Sequence, residues 1–284
     1  MTALVSSTRA ELLRLRLWPA LWVMLGIWVL LNLTFGYVFP YLSYRTGGGG
    51  FSNEGVPVAD LLAQILPGNV PAAVIGGIPM FGGAIMLTLG ALAAGGGYGW
   101  GTWKTTFIQG RGRIAAVGGN LVALVGFAIA LVLATFLVDL GVAAALAAVE
   151  GQSLALPPVG EIAGGLAGAV LIAAMWTLAG AAIGALTRSP ALAVGLGVVW
   201  VLAVENLLRG TASLLDWLRP VTDVLPGTVA GSVAAAVGAT PVSEGGPPGV
   251  VTNLDAAPAV ILAAGYLVVF ALLMVFTMRR QDIT

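Results

Sequence analysis

Two groups of side chains in this sequence have the types and spacing to do something beyond packing. Glu205 and Arg209 lie four residues apart at the end of a long apolar stretch, so a carboxyl group and a guanidinium can meet on one helix face. Residues 98–113 interleave Trp100, Trp103 and Phe107 with Lys104, Arg111 and Arg113. Elsewhere the chemistry is thin. There is no cysteine and no histidine, which removes the thiolate nucleophile, the imidazole base and the usual ligands of zinc. Ser-His-Asp triads and Cys-His dyads cannot be assembled within the chain, and no catalytic residue, cofactor site or metal site is expected.

The elements that must carry these groups are helices in a bilayer. Hydrophobic residues make up 59% of the chain and charged residues 8%, against about 25% charge in ordinary soluble domains. A bilayer solvates apolar surface directly, so this is the composition of a polytopic membrane protein. Six stretches reach the about 20 apolar residues that a spanning helix needs: 17–39, 72–94, 114–137, 162–186, 191–208 and 258–278. The first is longer than the apolar core of a signal peptide and reads as a retained span. Before it, Thr8 and Glu11 fit a capping box, so a short elbow helix is expected to start near Arg9 and to break at Pro19. Glu205 is the only charge inside the six stretches. It lies about 21 Å along the fifth from Ala191, near one membrane face. Two readings follow for it: a salt bridge to Arg209, or an outer gate or substrate contact. Asn32, Thr34 and Asn120 read as interhelical hydrogen-bonding residues.

The net charge of zero hides a sorting of charge. With the N-terminus inside, Arg9, Arg14, Arg16, Lys104, Arg111, Arg113, Arg188, Arg279 and Arg280 face the cytoplasm, and only Arg45, Arg209 and Arg219 fall outside. Glu54, Asp60, Asp139, Glu150, Glu161, Asp216, Asp223, Glu244 and Asp255 also fall outside. This is the positive-inside pattern, with both termini cytoplasmic. A seventh apolar stretch, 224–239, would reverse it for Arg279 and Arg280. With Pro226 and its glycines, it is expected to be a re-entrant or interfacial helix in a long outer loop, 209–257. Residues 213–218 read as a short amphipathic piece stopped by Pro220. Gly95, Gly96 and Gly97 read as a hinge at a helix end. The four-residue spacing of Gly164 with Gly168, and of Gly180 with Gly184, reads as close helix packing, within the subunit or between subunits. Residues 47–50 and 244–249 are turns or flexible links, and no phosphate-cradling Walker loop is present. The expected fold is one all-α transmembrane domain, 1–284, with six spans, an N-terminal elbow helix, a short cytoplasmic helix within 98–113 and an outer helix before the last span.

The 98–113 segment allows a plain reading, in which aromatic and basic side chains anchor at the headgroups. The order of its residues adds another. Gly101-Thr102-Trp103-Lys104, then Phe107, then Arg111 and Arg113 resembles the stretch after the second span in permease subunits of ABC exporters of the type-2 membrane family. Gly184 to Pro190, Glu205-Asn206-Leu207-Leu208 closing the fifth span, and Leu225-Pro226 in the last outer loop resemble the same family, and the layout agrees over nearly the whole chain. Gly97 and Asn120 stand where relatives often carry Glu and Lys. The resemblance implies two permease chains, identical or paralogous, forming a cavity above two separate ATPase subunits that hold ATP and magnesium. Residues 102–109 would be a coupling helix seated on the ATPase. Spans two and five would line the exit path, with Met80, Phe81, Val198 and Trp200 as candidate lining. The cargo implied is hydrophobic or amphipathic (a drug, a peptide or a lipid), the setting a bacterial cell membrane, and no nucleic acid is involved. Other classes left open are a secondary transporter or channel, and a non-transporting sensor or assembly subunit.

Overall fold

The computed structural model describes residues 2–47, 57–108 and 112–280. The expected turn at 48–50, the expected outer charge Glu54, and Gln109 and Arg111 of the expected coupling segment lie outside them. Among the described residues the protein is all-helical, with no strand. Six helical stretches are long and apolar enough to cross a membrane: Pro19–Arg45, Pro67–Gly99, Arg113–Val149, Val159–Thr187, Pro190–Ala212 and Ala256–Arg280. It is a multi-pass membrane protein. Each stretch matches an expected span and is longer than it. Apolar counting stops at the first polar residue, whereas α8 runs on through Asp139, which is covered by other helices.

The chain opens with α1 (Thr2–Leu17), broken from α2 (Pro19–Leu33) by Trp18 in an extended conformation, with Pro19 in the first turn of the next helix. The break is where the sequence placed it. The start is not: α1 runs through Thr8, whose hydroxyl bonds back to the Leu4 carbonyl instead of capping a new helix. The first span continues through a π-helical turn (Thr34–Val38) into α3 (Phe39–Arg45). Pro40 cannot donate the α-helical bond, and the chain widens into i→i+5 bonds just before it. The second span runs from α5 (Val70–Gly76) through a π turn around Pro79 (Ile78–Gly82) into α6 (Gly83–Gly99). Two short helices flank these elements, α4 (Val58–Gln64) before α5 and α7 (Thr102–Ile108) after α6.

The third and fourth spans are single helices, α8 (Arg113–Val149) and α9 (Val159–Thr187). The fifth is α10 (Pro190–Val199), a π turn (Trp200–Val204) and α11 (Glu205–Ala212). After α12 (Arg219–Asp223) and α13 (Pro226–Ala236), the sixth span is α14 (Ala256–Arg280). Pro220 sits in the first turn of α12, so it starts a helix here and does not stop the piece before it. Helix α13 has 11 residues, about 16 Å, too short to cross a bilayer core of about 30 Å. It is buried against α14, α9 and α5.

The centre of the bundle is the α6–α9 pair, where backbones touch. A Cβ on Gly90 would sit 2.8 Å from the Ala181 nitrogen, and one on Gly184 would sit 2.7 Å from the Ala91 oxygen. Gly180 and Gly184 thus seam two spans of one chain, whereas Gly164 meets open space and Gly168 packs against the Ile75 and Val233 side chains. The Gly95–Gly97 run lies within α6 and not at its end, with Gly95 against the Pro190 backbone and Gly97 under the Trp103 ring.

Candidate functional site

At the end of the bundle rich in Arg, α7 folds back on the helix it follows. Trp103 is 4% exposed, donates its indole N–H to the Ala94 carbonyl at 2.9 Å and stacks on Phe107 at 5.8 Å. Gly97 makes this possible, because a Cβ there would collide with the indole. The Arg113 guanidinium lies 5.5 Å from the Phe107 ring centroid and donates to the Arg279 carbonyl. Thr102, Lys104, Thr105 and Ile108 are exposed, as is Trp100. The sequence reading takes Trp103 as an anchor for a partner; the structure turns it inward, as the strut that fixes α7 to its own span. Beside it, Glu11 pairs with Arg14 at 2.8 Å and accepts from Asn120, while Arg14 reaches the Ala93 carbonyl. Asn120 therefore ties α1 to α8.

At the opposite end, Glu205 joins two elements. The π turn brings residues five apart onto one side of the helix, so the Trp200 indole donates to one carboxyl oxygen of Glu205 at 2.6 Å. The other oxygen accepts the Gly227 N–H at 2.7 Å, at the N-terminus of α13, where the helix dipole favours an acid. Glu205 is 1% exposed, and a Cβ on Gly227 would fall on its carboxyl group. The expected ion pair with Arg209 is not formed. Arg209 donates to Asn206 at 2.6 Å, and one of its terminal nitrogens is buried without a partner. Glu205 thus fastens the fifth span to the short helix that follows the Leu225-Pro226 motif.

The residues read as pathway lining do not surround one space. Phe81 stacks on Phe35 at 5.8 Å and lines a cavity of about 120 Å³ between the first two spans, with Trp28, Asn32, Asn69 and Pro247 among its walls. Met80 faces away, with its sulfur 4.0 Å from the Asn206 amide and Gly249 packed over it. Trp200 holds Glu205, and Val198 is half-buried on α10.

One residue escaped the sequence reading. Asp139 was placed in an outer loop but is fully buried within α8. It accepts the Asn32 amide at 2.7 Å, and its second oxygen has no partner. The signal was present: the apolar run resumes after Asp139 and continues to Val149. Nearby, the Trp28 indole donates to Thr135 at 2.9 Å, and the buried Tyr37 hydroxyl is unpartnered. Beyond α8, Glu150 accepts from Tyr41, Tyr44 and Arg45. These bonds, the Tyr41 hydroxyl foremost, hold its carboxyl group below the usual range. Among the described residues, no group of acidic side chains could hold a metal ion. No protein-family model matches this chain, and no curated protein is detectably similar to it in sequence.

Proposed function

We propose that this chain is the membrane-spanning permease subunit of an ATP-driven exporter of the type-2 ABC family, working with a second permease chain and two copies of a separate ATPase. The observation that carries the reading is the construction of α7. A short helix is clamped to the second span through the Trp103–Ala94 bond, while Thr102, Lys104, Thr105 and Ile108 are left exposed on its other side. A lever needs a rigid root and a free face, and this helix has both. Its setting supports the same reading. The excess of Arg and Lys at this end makes it the cytoplasmic one, and α1, pinned through Arg14 and Glu11, serves as the elbow on the inner surface. Closure of the ATPase would push α7, and Trp103 would pass that displacement to α6. Since α6 packs backbone to backbone against α9 around Gly90, Gly180 and Gly184, the two would move together. The cargo is hydrophobic or amphipathic, in keeping with uncharged cavity walls of aromatic, proline and amide side chains.

A buried carboxyl group without a cation partner, Asp139, favours a second reading, an ion-coupled carrier. Purification of the tagged chain from its native membranes separates the two. The exporter reading expects a nucleotide-binding chain to co-purify and uptake into inside-out vesicles to require ATP. Uptake driven by an ion gradient without nucleotide would establish the carrier instead.

A further inference from the structure

Asp139 has no role in the ATPase-driven mechanism, and its surroundings define a site of their own. No ion pair among the described residues includes it. The charged groups on the elements around this part of α8 are turned elsewhere: Asp60 on α4 and Glu161 on α9 are exposed, and Glu150 is held by Tyr41, Tyr44 and Arg45. What faces Asp139 is neutral: the Asn32 amide and Tyr37, the one titratable neighbour. Asn32 and Tyr37 are five residues apart across the π turn, which puts both on the side toward α8. A carboxylate in such a place carries an unpaired charge in a low-dielectric interior, which is far costlier than binding a proton. A metal cation would need several more oxygens than Asp139 and Tyr37 offer.

We propose that Asp139 is a proton-binding site within the bundle, filled while the first span packs against α8 as it does here and emptied when the two part. The proton comes from water and adds to the unpartnered carboxyl oxygen; on separation it returns to water and leaves the carboxylate solvated. The packing favours this role. Helix α2 of the first span touches α8 only sparsely, so a polar contact between them weighs heavily. The cavity beside Trp28 also reaches Asn32, one hydrogen bond from Asp139, and has room for water there. The inference holds whether ATP or an ion gradient drives the protein.

Two measurements test it. In infrared spectra of purified protein labelled with ¹³C-aspartate, the carbonyl stretch of an un-ionised acid should be present at neutral pH and vanish in Asp139→Asn. Its absence from wild type, or its survival in Asp139→Asn, would overturn the proposal. The second reads the motion. Spin labels on cysteines replacing exposed Val38 and Leu137 report the separation of the first span from α8. Raising the pH from neutral should shift wild type toward longer distances, while Asp139→Asn, a neutral stand-in for the protonated acid, should stay short over the same pH rise. If Asp139→Asn fails to fold, wild type alone decides through the infrared band and its loss on the same pH rise that lengthens the distance. Equal pH responses in both proteins, or a distance set by sodium instead of pH, would refute it.

Discussion

Glu205 and Gly227 form one contact, and removing them separately and together measures it. In Glu205→Ala the Gly227 N–H is left buried without an acceptor, and the Trp200 indole, partly exposed, loses its partner. A buried unsatisfied donor costs about 1–3 kcal/mol, and a partly exposed one less, so the variant should lose about 2–4 kcal/mol. Gly227→Ala drives a Cβ into the carboxyl group of Glu205 and should cost about 1–3 kcal/mol through overpacking. The double variant separates this account from two unrelated defects. With Ala at 205 the new methyl group has room, so the double variant should be no less stable than Glu205→Ala alone. The coupling is then about 1–3 kcal/mol, as expected for residues in contact. The chain has no native cysteine, so thermal unfolding in detergent can be followed by a thiol-reactive dye at Val233→Cys, a fully buried position on α13. Penalties that simply add would mean that Glu205 does not hold α13.

Three further outcomes are expected. Trp103→Ala should cost about 3–5 kcal/mol, as for other buried aromatics, while Lys104→Glu, on the exposed side of the same helix, should leave thermal stability within about 0.5 kcal/mol. Gly90→Ala should prevent a monodisperse fold because its Cβ meets the α9 backbone, whereas Gly126→Ala, in open space on α8, should be neutral or slightly stabilising; size-exclusion profiles decide this. The tie of Glu150 to Tyr41, Tyr44 and Arg45 rests on a carboxyl group held below its usual range. Its contribution is complete above that range and is lost as pH falls through the lowered value. Glu150→Gln should flatten this acid limb in melting curves taken against pH.

The spans were legible because lipid demands continuous apolar runs and little else resembles them. Their ends were not, because a polar residue looks the same in a loop as under a neighbouring helix; Asp139 is the case in point. The Glu205–Arg209 pair failed for a different reason. Four-residue spacing makes an ion pair geometrically available, but α13, 22 residues further on, offers Glu205 a helix N-terminus that local spacing cannot reveal. The direction of Trp103 depended on Gly97, whose missing side chain leaves the gap that the indole fills.

The central claim is that a separate ATPase seats on the exposed face of α7, and proximity tests it directly. Cysteines placed singly at exposed Lys104 and Ile108 and at buried Ala116 of the otherwise cysteine-free chain can be joined by a short thiol-directed photocrosslinker to neighbours in native membranes. The account predicts adducts with a nucleotide-binding chain from positions 104 and 108, changed in yield by ATP, and none from the buried 116. Adducts with lipid alone at 104 and 108, unaffected by ATP, would reduce this helix to a membrane anchor and contradict the account.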